Sequence, residues 1–121
     1  MVIHKNFADF VLFLYIYMAH ADSDLHEAER DVIKEKMKKL YPEDTDFNKK
    51  FNEQLNLYDD FDKNQLKTLF KDTFGHFSSI KFPQKYKVFT DMYDIINADG
   101  KVDESETKAL NALKEIIDIS N

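Results

Sequence analysis

The chain has no cysteine, which removes disulfides, thiolate zinc sites and cysteine nucleophiles together. That fits a reducing compartment, and a cytoplasmic location is expected. Two glycines and two prolines in 121 residues leave too few tight turns for an all-β fold. A Gly-rich phosphate loop, a nucleophile elbow and a His-Glu-x-x-His motif are all missing, so a non-enzymatic protein is expected. Basic charge is also short. Seventeen Lys and Arg against 23 Asp and Glu give a net charge of −6, which disfavours phosphate backbones and with them a nucleic-acid partner. The local run "KEKMKK" (34–39) reads as a solvated helix C-terminus, where basic side chains offset the dipole. No apolar run reaches the roughly 20 residues that span a bilayer, so no membrane insertion is expected.

What is present is a folded profile. Hydrophobic residues make up 43% and charged residues 33%, and the length suits one domain over 1–121 with a sizeable core. The most apolar stretch, "FVLFLYIYMA" (10–19), follows His4 and Lys5 and precedes Ala19–His20–Ala21, a superficial signal-peptide pattern. A repeat argues otherwise. Sliding residue 21 onto residue 98 lays "ADSDLHEAE" (21–29) on "ADGKVDESE" (98–106), matching Ala21/Ala98, Asp22/Asp99, Glu27/Glu104 and Glu29/Glu106. Val11 falls on Val88, Met18 on Ile95, Ile33 on Leu110 and Leu40 on Ile117. A leader has no reason to recur near the other end of a chain, whereas a structural unit does. The repeat units are about 4–40 and 82–118.

Each unit reads as helix, turn, helix. Tyr86, Phe89, Tyr93 and Ile96 keep helical spacing, as do Leu110, Leu113 and Ile117. Pro83 suits a first helical turn, Gly100 a left-handed helix stop, and Asp103 with Glu106 a capping box. Phe47, Phe51 and Leu55 mark a helix between the units, and Leu66, Leu69, Thr73 and Phe74 another, with Asp62 and Gln65 as its capping pair and Gly75 as its stop. The pattern predicts an all-α bundle of six helices, near 4–20, 26–41, 46–57, 63–75, 82–97 and 104–118. The first is apolar nearly all round and belongs at the bundle centre, with a homodimer face as its second reading. The eleven phenylalanines are core by the same spacing. His4 and His76 have no ligand spacing around them and are expected at the surface or in loops.

The doubled turn, carried by "NADGKVDESE" (97–106) and more loosely by "HADSDLHEAE" (20–29), resembles the TerB-like family. That family includes tellurite-resistance TerB proteins and the N-terminal portion of some membrane-anchored J-domain co-chaperones. The resemblance covers the two end units, about half the chain. It implies an all-α fold with internal pseudo-symmetry, a link to tellurite and stress resistance, and acidic residues suited to divalent metal. Two positions depart from the pattern: Ser23 stands where glycine is expected, and His26 where the second copy has Asp103.

Two readings of the acidic turns stay open. If the units pack about a pseudo-twofold axis, Asp22, Glu29, Asp99 and Glu106 converge as oxygen ligands for Ca²⁺, Mg²⁺ or Mn²⁺. His20, His26 and Asp24 would shift the first copy towards Zn²⁺, and Asp103 is a further candidate at the second. The alternative is capping alone, the commoner role for Asp in a turn and Glu at a third helical position, in a protein–protein interaction domain. These carboxylates are expected at exposed helix starts, which suits neither catalysis nor a raised pKa. An EF-hand is excluded: twelve-residue loops from Asp22, Asp99 and Asp60 end at Ile33, Leu110 and Lys71, where a bidentate glutamate is required.

Overall fold

Four α-helices are delimited among the described residues of the computed structural model, not six: α1 (Phe7–Ala19), α2 (Glu27–Met37), α3 (Phe47–Asp60) and α4 (Leu66–His76). The structure describes residues 3–4, 6–19 and 27–77, and beyond them positions 83, 87–88, 90–91, 94, 104, 107–108, 111 and 114–115. Each of these later positions is helical and lies within the spans expected for a fifth and a sixth helix. The fold is therefore all-helical wherever a regular element is described. The count of six and the internal repeat reach beyond the described residues.

Helix α1 is the centre of the core. Ten of its thirteen residues are buried, and Phe10, Val11, Leu12, Phe13, Leu14, Ile16, Met18 and Ala19 have no exposed surface. Burial of each larger side chain favours folding by roughly 1.5–3 kcal/mol. The helix packs on α2 and α3 through its backbone neighbourhood. It meets α4 through rings, with Phe10–Phe74 centroids at 5.2 Å and Tyr17–Phe70 at 4.9 Å. It begins at Phe7 rather than near residue 4 because the Asn6 side chain caps it, accepting from the Ala8 amide at 2.8 Å. At thirteen residues it is too short to span a bilayer, and no described helix is long and apolar enough to cross one.

The other helices show one apolar stripe each, and their ends have local causes. In α2 the buried positions are Glu29, Ile33 and Met37, spaced by four. The helix ends at Met37, short of residue 41: beyond it the Leu40 and Tyr41 amides both donate to the Met37 carbonyl in a turn, and Pro42 keeps Tyr41 from resuming helical backbone. Asp46 caps α3, accepting from the Lys49 amide at 3.2 Å, and Phe51, Gln54 and Tyr58 face inward. At its other end the Lys63 ammonium donates to the carbonyls of Tyr58 and Phe61, so α3 runs three residues beyond its expected end.

The start and stop expected for α4 are both corrected. Asp62 accepts from the Asn64 amide at 2.9 Å and opens a 3₁₀ turn, Lys63–Gln65, while Gln65 makes no capping bond. Gly75 does not end the helix, which continues to His76 with Gly75 outside the left-handed region. A Cβ at Gly75 would meet nothing within 4 Å. Gly75→Ala is therefore expected to stabilise the protein by about 0.4–1 kcal/mol, through lower entropy of the unfolded chain. A urea midpoint that falls instead of rising would contradict this.

Candidate functional site

Of the residues expected to form the acidic site, Glu29 is described. Asp22, Asp99, Glu106, Asp24, His20, His26 and Asp103 lie outside the described residues. Glu29 is the third residue of α2, and it is not at an exposed helix start as expected: it is 1% exposed. Helical spacing forces this, because Glu29 heads the stripe that continues through the fully buried Ile33 and Met37. A carboxylate this deep needs compensating hydrogen bonds or a cation. Beside it, the Arg30 guanidinium lies 4.9 Å over the Phe51 ring and reaches Asn48 at 3.4 Å, fixing the start of α2 on the start of α3. Among the described residues, no three His, Cys, Asp or Glu side chains come together in a metal-binding group.

A second polar assembly was not foreseen from the sequence. Asp91, 9% exposed, accepts from the Tyr15 hydroxyl at 3.4 Å and pairs with Lys36 at 3.2 Å and Lys87 at 3.0 Å. Lys36 also binds Asp94 at 2.6 Å. The hydrogen bond to Asp94, with Asp91 behind it, holds the Lys36 ammonium charged above its usual range despite partial desolvation. Burial, then the negative charge and hydrogen bond of Asp91, push the Tyr15 hydroxyl far above its ordinary value. It stays a neutral donor. Lys36 is therefore not a solvated helix end; it ties α2 to the helical positions at 91 and 94. A cavity of about 180 Å³ opens beside this junction, with Tyr15, Leu40 and Val88 as apolar wall and Lys39 on its lining. The (i, i+4) pair Lys87–Asp91 was readable locally, but the Lys36 and Tyr15 contacts span 55 and 76 residues.

His4, expected at the surface or in a loop, lies in non-helical chain ahead of α1 but is not at the surface. It is 3% exposed, with Nε2 at 2.9 Å from the Gln54 Oε1. Its ring packs on Phe13 at 4.9 Å and Phe10 at 5.6 Å between centroids. The surrounding aromatic cluster accepts the ring as a flat, mostly apolar body. His76 is exposed, as expected.

The profile of the family described as tellurite resistance protein TerB matches residues 10–121. The chain belongs to the TerB family. No curated protein and no solved structure matches it. The TerB match takes in α1 from Phe10 onwards, α2 to α4, the Lys36–Asp91 junction and both acidic turns. His4 falls outside it.

Proposed function

We propose that this TerB-family chain is a non-enzymatic helical module of one domain over 1–121 that recruits or senses through its two acidic turns. Its setting is tellurite or stress resistance in the cytoplasm, and its partners are proteins, a second copy of itself among them. Asp22, Glu29, Asp99 and Glu106 hold a divalent cation, with Asp24, Asp103, His20 and His26 as local additions. The burial of Glu29 at 1% carries this reading, since a carboxylate placed for solvent-side capping has no need to be sunk in the core stripe. The six-helix pseudo-twofold arrangement that would bring the turns together is supported by Val11 and Val88, equivalent in register and both buried.

Calorimetric titration of chelator-treated protein with Ca²⁺, Mn²⁺ and Zn²⁺ tests it. One saturable site tighter than millimolar is expected, lost in Glu29→Gln and in Asp99→Asn/Glu106→Gln. At a hundredfold excess over Kd the ion should add about 2.7 kcal/mol of stability. No binding, with an unchanged melting temperature, overturns the metal reading.

The second reading, an interaction domain whose acidic turns only cap helices, is favoured by Asp46 and Asp62. Both are capping aspartates at other starts in the same chain. On that reading the double variant loses about 0.5–2 kcal/mol of stability and no affinity for its partner.

A further inference from the structure

We propose that residues 3–4, ahead of α1, are a proton-operated strap: neutral His4 seats them against α1 and α3, and a proton on the buried Nδ1 unseats them. The hydrogen bond assigns the tautomer. The Gln54 amide oxygen only accepts, so the Nε2 facing it at 2.9 Å carries the hydrogen and Nδ1 is the bare nitrogen of the neutral ring. That Nδ1 is buried and has no hydrogen-bond partner. A bare acceptor among phenyl rings is tolerable, but protonation turns it into a charged N–H donor with no acceptor, in a pocket made by Phe10 and Phe13.

The groups facing His4 set the balance. From α1, Asp9 favours the protonated ring. Its carboxylate is already engaged, however, by the Tyr41 hydroxyl at 2.5 Å and by the Lys50 ammonium of α3 at 3.7 Å. From α3, Gln54 is neutral and itself 8% exposed. Burial outweighs both the Gln54 hydrogen bond and the Asp9 charge, and holds the His4 pKa below its ordinary 6.5. A seated ring therefore binds its proton less readily than a released one. Seating is fully favourable above about pH 6.5, weakens as the pH falls below that value, and levels off below the pKa of the seated ring. Acidification uncovers one side of Phe10 and Phe13 and the Gln54 amide, a change independent of the acidic turns.

Hydrogen exchange of the whole protein at about pH 7.5 and about pH 5.5, either side of the ordinary histidine value, with NMR of the His4 ring nitrogens, tests this. After correction for intrinsic rates, protection at the start of α1 is expected to fall by up to about tenfold per pH unit below 6.5. His4→Leu keeps the apolar seat without a titrating group and should show no such loss. Gln54→Glu sets an anion opposite Nε2–H, holds the imidazolium in place, and should move the loss to lower pH. The strap is overturned by any of three results: His4 titrates at or above 6.5; protection is unchanged while the ring titrates; or His4→Leu or Gln54→Glu loses protection over the same pH range as the wild type.

Discussion

Phe13→Ala is expected to lower stability by about 3–5 kcal/mol and the melting temperature by roughly 10–20 °C. Phe13 has no exposed surface, and its ring is where four parts of the chain meet. His4 lies at 4.9 Å, Tyr58 of α3 at 5.9 Å, Phe70 of α4 at 6.2 Å, and Phe61 after α3 at 6.4 Å. Truncation removes the transfer free energy of the ring and leaves a cavity whose walls belong to three different elements, so they cannot all close on it. A domain of this size is stabilised by about 5–15 kcal/mol in total, and one such loss brings it close to unfolding at 37 °C. If Phe13→Ala does not accumulate, Phe13→Leu, which keeps most of the volume, should fold with a loss of about 1 kcal/mol. The half-buried Phe61→Ala provides the comparison and should lose clearly less than Phe13→Ala. Equal losses from Phe13→Ala and Phe61→Ala in urea titrations would show that α1 is not the centre of the fold.

That centre was legible in the sequence because "VLFLYIYM" has no polar face to turn to water, and a helix with no polar face goes inside. The apolar stripes of α3 and α4 were legible for the same reason of period. Helix ends were readable where the signal is local. Asn6, three residues ahead of Asp9, is an N-cap pattern that would have placed the start of α1 correctly, and Pro42 marks a limit that α2 cannot pass.

The candidate site was less legible, and the residues show why. Glu29 at a third helical position fits an exposed cap and a buried side chain equally well until the stripe it heads is known to face the core. His4 is a lone polar residue whose partner, Gln54, is fifty residues away. No spacing rule connects them. Lys36 reads as one of a solvated basic run until Asp91 arrives from another helix. In each case a side chain with two acceptable local fates was decided by tertiary packing.

Asp91→Ala is the second large effect expected, at about 2–3 kcal/mol, and it comes with a cycle that identifies its origin. Removing the carboxylate leaves the Tyr15 hydroxyl, on a residue only 1% exposed, without its acceptor, and leaves Lys36 with Asp94 alone. The orphaned hydroxyl costs about 1–3 kcal/mol. The lost ion pairs add less, because the Lys36 side chain is 25% exposed and that of Lys87 57%, so solvent screens both. Tyr15→Phe alone removes donor and bond together and should cost about 1 kcal/mol, below the usual range for a charged acceptor because the bond is long at 3.4 Å. In the Asp91→Ala background the same change removes an unsatisfied hydroxyl, so it should be neutral or stabilising. The coupling energy of the cycle is then about 1–2 kcal/mol. A coupling near zero would mean that Tyr15 and Asp91 do not interact in solution. A coupling of the expected size makes this junction one tie between α1 and the stretch around residue 91. Asp91→Ala should then also weaken any cation site that draws ligands from both acidic turns, because such a site needs the two turns held together.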